Sequence, residues 1–260
     1  MAEKEGLEEG EEKINALPFN SKKLVFLLHM KWGVVIFPGS NCDHDLIRVL
    51  NNTASGDVVE LWHKDTDLKG CTHIFLPGGF SYGDYLRSGS IAKLSPIMDS
   101  VREHAENGGF VMGICNGFQI LCESGLLPGA LIHNTNMKFI CKNVHLTPVS
   151  KKASVSKNVN GVIQIPIAHG EGRFFCNDQE LEKIEANDQV LFRYSAENGE
   201  VSANTNPNGS LNNIAGVCND TFNVFGMMPH PERAAEGFLL NQDGMQIIQS
   251  IIQESNTVHA

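Results

Sequence analysis

Apolar residues along this chain come in short unbroken runs, and each run stops at a glycine, a proline or a polar turn. WGVVIF (32–37) closes on Pro38-Gly39, HIFL (73–76) on Pro77-Gly78-Gly79, and FVMGI (110–114) on Cys115. Runs of this length without polar alternation predict strands buried on both faces. VVELW (58–62) predicts a further strand. Between these runs the spacing turns helical: over residues 43–51, over 90–107, where Ile91, Leu94, Ile97, Met98 and Val101 share one side, and over 116–123, with Gly125 as its stop. Strand and helix alternate, which predicts an α/β fold with a mainly parallel central sheet flanked by helices. From Ala130 to Phe225 the pattern is more strand-like, with runs at 144–149, 162–168 and 190–194, and predicts an additional antiparallel part. A last helix is expected over 234–254, with Met245, Ile248, Ile251 and Ile252 on one face.

Composition narrows the function. With 260 residues, 42% of them hydrophobic, the chain can bury one large core. A formal net charge of -10 without a Lys/Arg cluster argues against a nucleic-acid partner. Residues 1–29 are rich in Glu and Lys and are expected to be a mobile extension, leaving 30–260 as the folded domain. The apolar run at 24–28 is far short of the roughly 18 residues of a membrane span, and the stretch before it is acidic, unlike a signal peptide. Seven cysteines, an odd number without Cys-x-x-Cys pairs or zinc-type spacing, point to a reducing, cytoplasmic compartment.

One cysteine stands apart. In VMGICNGFQ, Cys115 lies between a buried strand and a helix, flanked by Gly113 and Gly117, in the manner of a nucleophile elbow. There the N-terminus of the helix favours thiolate over thiol, and the backbone N–H of Asn116 would face an atom under attack. The pattern is short and equally fits a small core residue; the other six cysteines, lacking such punctuation, are read as core residues. A nucleophilic thiol needs a base with an orienting group, and two His-x-Glu pairs offer one: His169/Glu171 in IAHGEGR and His230/Glu232 in MMPHPERA. Pro229 and Pro231 fix the backbone around His230, whereas glycines surround His169, so preorganisation favours His230. Pro77-Gly78-Gly79 can turn a backbone N–H toward a neighbouring strand end as an oxyanion donor, or form a simple turn.

With these residues in view, GICNGFQ, LPGG and PHPE resemble the three signatures of the class I glutamine amidotransferases, which have a flavodoxin-like fold. FPGSNCDHD (37–45), LPGGFSYGDYLRSGSIA (76–92), IPIAHGEGR (165–173), NPNGS (206–210) and MMPHPERA (227–234) further resemble the glutaminase subunits of phosphoribosylformylglycinamidine synthases. The resemblance runs from about Met30 to the last helix and leaves the N-terminal extension outside it. It implies that Cys115 attacks the side-chain amide of glutamine, that His230 shuttles the proton and Glu232 holds the imidazole. It also implies Gly79 and Asn116 as oxyanion donors and Gln119 as a contact for bound glutamine. His169, Glu171 and Arg173 either line the face toward the partner, close over the site or form an ordinary charged loop; Tyr82, Asp84 and Arg87, which follow the oxyanion loop, either couple it to the partner or are ordinary loop residues.

No Gly-x-x-x-x-Gly-Lys-Ser/Thr loop or acidic Mg²⁺ cluster occurs in the sequence. The resemblance therefore implies no cofactor on this chain, with ATP and Mg²⁺ in a large synthetase subunit and a small third subunit completing the complex. Two other readings are an independent cysteine amidase or peptidase on the same scaffold and a non-catalytic regulator. The PHPE segment and the IPIAHGEGR set weigh against the first, and retention of Cys115, His230 and Glu232 against the second.

Overall fold

The computed structural model describes residues 30–53 and 56–257; the predicted extension over 1–29 lies outside them. The first half alternates as the pattern predicts: β1 (Met30–Ile36), α1 (Asp43–Thr53), β2 (Gly56–Trp62), β3 (His73–Leu76), α2 (Ile97–Glu106), β4 (Phe110–Ile114) and α3 (Asn116–Glu123). The helix expected over 90–107 is split. A single 3₁₀ turn covers Ala92–Leu94, and α2 begins only after Pro96, because a proline excludes the preceding residue from the helical region.

The second half comprises β5 (Ala130–Ile132), β6 (Ile140–Pro148), β7 (Ile163–His169), β8 (Arg173–Phe175), α4 (Asp178–Ala186), β9 (Val190–Ser195), β10 (Ile214–Cys218), β11 (Val224–Met227) and α5 (Gly244–Thr257). Four of these depart from expectation. Helix α4 interrupts a region read as strand; the Asn177 side chain caps it by accepting from Glu180 N, and only Ile184 is buried. The last helix starts at Gly244, ten residues later than expected, because Pro231–Ala234 form a separate 3₁₀ turn. Strands β10 and β11, which the polar turns of the sequence obscured, complete the sheet.

All strands except β5 and β8 join one sheet of order β2-β1-β3-β4-β11-β10-β9-β6-β7. Strands β2, β1, β3, β4 and β11 run parallel. From β11 outward the pairing is antiparallel, so the predicted mixed architecture is present. β11 is the decisive strand: it sits beside β4 with Met227 opposite Ile114, so the chain leaves both strands at the same end of the sheet. Leu76, the last residue of β3, pairs with Gly113, which brings the Pro77-Gly78-Gly79 turn there too. Functional groups of open α/β sheets gather at these carboxyl ends.

The core is continuous, with Trp32, Phe75, Phe118, Phe192, Tyr194 and Phe225 among its largest buried side chains. Strand β7, at the far edge in hydrogen-bonding order, returns to the carboxyl ends of β4 and β11: Pro166 O accepts from His230 N at 2.9 Å. No helix among the described residues is long and apolar enough to cross a membrane.

Candidate active site

Cys115 is the residue at which β4 becomes α3, and its backbone is strained, with φ 50° and ψ -104°. A non-glycine residue in this region costs about 1–3 kcal/mol and persists only where its surroundings fix it. Those surroundings are specific. Cys115 N donates to Met227 O at 2.8 Å, tying the turn to β11. Gly113 and Gly117 are needed for close approach: a Cβ on Gly117 would lie 1.9 Å from Leu76 O, and one on Gly113 would lie 2.5 Å from the Gly117 carbonyl carbon. The sharp turn expected of the glycines is thus taken by the cysteine itself, while the glycines let α3 lie against β3. The thiol is buried and approaches Ala168 O at 3.7 Å.

Three residues beyond β11, His230 is 2% exposed, and its Nδ1 faces Glu232 Oε1 at 2.6 Å, with Glu232 1% exposed. The pair is aligned by a turn and not by an extended segment, since Glu232 lies in the 3₁₀ turn Pro231–Ala234. Burial opposes the imidazolium, but the Glu232 carboxylate and then the Cys115 thiol outweigh it. His230 therefore holds its proton well above the ordinary histidine range. The other ring nitrogen of His230 faces the Cys115 and Cys42 sulfurs, and Glu232 Oε2 has no partner among the described residues. The other His-x-Glu segment forms no such pair: His169 Nδ1 faces Asn134 Oδ1 at 3.1 Å, and Glu171 lies 3.4 Å from His133 Nε2.

Gly79 has φ +140°, and a Cβ there would lie 2.6 Å from Asn41 N, so only glycine fits. A bridge to Ser40 fastens this turn to the loop after β1. Asn116 opens α3, where the first N–H groups have no intrahelical acceptor. Its side chain organises the neighbourhood: Oδ1 accepts from Ser81 N at 3.1 Å, and Nδ2 donates to Asp84 Oδ1 at 3.2 Å and to Gln119 Oε1 at 2.9 Å. Gln119, expected to contact substrate, also donates from Nε2 to Glu171 O at 2.6 Å. It lines the cavity while its amide braces the wall.

Two adjoining cavities of about 190 and 250 Å³ share Gly79, Phe80, Cys115, Phe139 and Ala168. The first adds Asp84, Ser88, Gln119, His133 and His169–Glu171; the second adds Asn41, Cys42, His230 and Arg233. A larger depression of about 640 Å³ beside Cys122 and Cys176 contains none of these groups. Sequence reasoning missed Asp84 as a lining residue, and Cys42, read as core, stands beside His230. Cys141, also read as core, is exposed. Among the described residues, one group of three possible metal ligands occurs, Cys42, His230 and Glu232, with ligand atoms within 4.8 Å of one another. His230 Nδ1 is already committed to Glu232, and Arg233 lines the same cavity, so the group is built as a hydrogen-bonded pair.

A buried thiol on a strained strand–helix turn, a His–Glu pair just past the parallel strand on one side of it and a glycine turn at the end of the parallel strand on the other side make up the architecture of a class I glutamine amidotransferase. The sequence profile of the CobB/CobQ-like glutamine amidotransferase domain matches residues 29–251, and the chain belongs to that family. It is 52% identical over 225 residues to the phosphoribosylformylglycinamidine synthase subunit PurQ of Koribacter versatilis, covering 86% of this chain and 97% of that one. The PurQ subunit of Trichormus variabilis is 51% identical over 227 residues, at 86% and 98% coverage. The structure of PurLQS from Thermotoga maritima superposes with a TM-score of 0.76 at 40% identity, covering 88% of this chain and all (100%) of the matched one.

Proposed function

We propose that this chain is the glutaminase subunit of a phosphoribosylformylglycinamidine synthase. Cys115 Sγ, having already given its proton to His230, attacks the side-chain amide carbon of glutamine. The tetrahedral oxyanion accepts hydrogen bonds from the N–H groups of Gly79 and Asn116. The C–N bond breaks, His230 gives its proton to the departing ammonia, and a glutamyl thioester remains. Water then cleaves the thioester to glutamate and restores the thiol. Glu232 fixes the imidazole orientation and stabilises the imidazolium between these steps. Gln119 holds the wall of the glutamine pocket.

The released ammonia passes to a large synthetase subunit, which uses ATP and Mg²⁺ to convert formylglycinamide ribonucleotide to its amidine in purine biosynthesis. A small third subunit completes the complex, and the work takes place in the cytoplasm. Free ammonia is readily protonated in water, so delivery inside a complex preserves the nucleophile. The observation that carries this reading is the convergence of Cys115 and the His230–Glu232 pair at the ends of adjacent parallel strands.

The test is glutamate release from glutamine by the chain alone and with the synthetase subunits, ATP and formylglycinamide ribonucleotide. Strong stimulation in the mixture is expected. Cys115→Ser is expected to lower glutamine-dependent turnover on the order of 10⁴-fold or more and to leave amidine formation from added ammonia intact. Fast, unstimulated turnover would instead identify an independent amidase, and no turnover in either condition would exclude the glutaminase reading.

A further inference from the structure

The Pro77-Gly78-Gly79 turn leads into a backbone that few side chains accept. Gly79 has no side chain, so nothing of its own fixes the direction of its N–H; the bonds on either side of it do. Upstream the turn continues β3, and the bridge to Ser40 holds it. Downstream, Phe80 N donates to Gly39 O at 2.9 Å, and the 3₁₀ turn Ser81–Asp84 follows, with Tyr82 at φ 54°, Gly83 at φ 72° and Asp84 at φ 53°. Left-handed backbone disfavours residues that carry a Cβ, so Tyr82 and Asp84 need restraint from outside the turn. Asp84 has it from Asn116 Nδ2.

For Tyr82 the restraint is a buried junction. Its N–H donates to Pro38 O at 2.6 Å, and its hydroxyl lies 2.6 Å from His63 Nδ1 and 2.9 Å from Ser95 Oγ. His63 and Ser95 are both buried. Burial, and then the charge of Lys64, lower the His63 pKa, so the ring is neutral near pH 7. A hydroxyl can donate and accept at once, so both contacts can be made together. Both partners belong to the frame of the sheet. His63 follows β2; its N–H donates to Ile36 O at 3.1 Å, and its carbonyl accepts from Ile97 N at 3.3 Å. Ser95 O accepts from Met98 N at 2.9 Å. The hydroxyl thus fastens the segment after Gly79 to the ends of β1 and β2 and to the start of α2.

We propose that Tyr82 is a positioning residue for glutamine hydrolysis: its hydroxyl, held between His63 and Ser95, keeps the Gly79 N–H aimed at the developing oxyanion. The proposal rests on the glutaminase reading. Ser81 N, next to Tyr82, donates to Asn116 Oδ1 at 3.1 Å, so the same segment joins the glycine turn to the residue that supplies the second donor. The oxyanion exists only after attack, so misdirecting one of its donors lowers kcat without weakening the binding of intact glutamine. Loss of a whole donor costs about 10²–10³-fold in kcat. Loosening one through its loop costs less, on the order of 10-fold.

The experiment uses Tyr82→Phe, which keeps the ring and removes only the hydroxyl, in the reconstituted complex. The kcat for glutamate release is expected to fall on the order of 10-fold while KM for glutamine stays within about 3-fold. Alkylation of Cys115 by iodoacetamide, followed by mass spectrometry, displaces iodide and forms no oxyanion, so its rate is expected to stay within about 3-fold. Ser95→Ala removes one arm of the junction and is expected to lower kcat about 3-fold. Combined with Tyr82→Phe it is expected to add nothing further, because the hydroxyl it would hold is gone. Unchanged kcat in Tyr82→Phe, or losses that multiply in the double variant, would overturn the proposal. A parallel fall in the alkylation rate would show a distorted nucleophile turn and overturn it too; each of these outcomes leaves the glutaminase reading intact. Wild-type complex that hydrolyses no glutamine would overturn that reading and this one with it.

Discussion

His169 feels the charge of His230, and the two imidazoles are driven in opposite directions. Burial and the His230 charge hold His169 neutral, with its pKa lowered to about 4, while the Glu232 and Cys115 partners raise His230 well above the ordinary range against its burial. An imidazole with a raised proton affinity can accept a thiol proton; one with a lowered affinity remains an acceptor. The difference is measurable as stability. A histidine with a depressed folded pKa contributes stability that is complete above its unfolded value near 6.5 and is lost as pH falls toward 4. The full shift corresponds to about 3 kcal/mol. Urea unfolding of wild type and His169→Gln at pH 7.5 and 4.5 is expected to show most of that advantage disappearing in acid, with carboxylates common to both proteins cancelling. His230 acts with the opposite sign: its contribution is complete below 6.5 and is lost only at alkaline pH, beyond its raised pKa.

At the level of elements, the position of α3 decides the site, because Cys115, Asn116 and Gln119 all lie at or just inside its N-terminus. A Cβ on Gly117 would meet Leu76 O at 1.9 Å, and that obstacle is backbone, so the helix itself must move. Gly117→Ala is expected to cost about 2–3 kcal/mol, read as a lower urea midpoint, and to reduce glutaminase turnover on the order of 10²-fold, since small misplacements of reacting groups are costly. The sequence exposed this unit because β3, β4 and the start of α3 are buried runs with fixed punctuation, and because Cys115 is next in chain to β4. His230 and Glu232 were legible for the same reason: the pair is local. Asp84 was not, because its approach to Glu171 follows from the return of β7 to the end of β4, which no short pattern encodes. Helix α4 was obscured by its composition, DQELEKIEA, which buries only Ile184 and gives little periodic signal. Pro96 was the sign that the helix over 90–107 is broken, and its effect outweighed the apolar spacing that spans it.

Across the whole molecule, exposed aromatic and aliphatic side chains gather around the cavities at the carboxyl end of the sheet. Phe80 and Phe139, their rings stacked with centroids 6.4 Å apart, are exposed and line both cavities. Nearby in sequence stand Tyr85, Leu86 and Met137, also exposed. Leu86 is 94% exposed at φ 71°, and Met137 is 72% exposed at φ 54°. A left-handed backbone costs a non-glycine residue roughly 1–2 kcal/mol, and an exposed apolar side chain at such a position contributes little to the isolated fold. Both features are what a surface covered on assembly would show. Asparagine accepts this backbone and prefers water, so Leu86→Asn with Met137→Asn is expected to raise the melting temperature of the isolated chain slightly. The same pair is expected to raise the synthetase concentration needed for half-maximal stimulation of glutamate release at least about tenfold, the loss of two apolar contacts at a well-packed interface. Unstimulated hydrolysis by the free chain should stay within about 3-fold, since neither residue lines the cavities. An unchanged half-saturation would place the partner on another face and leave the exposure of Leu86 and Met137 without a role.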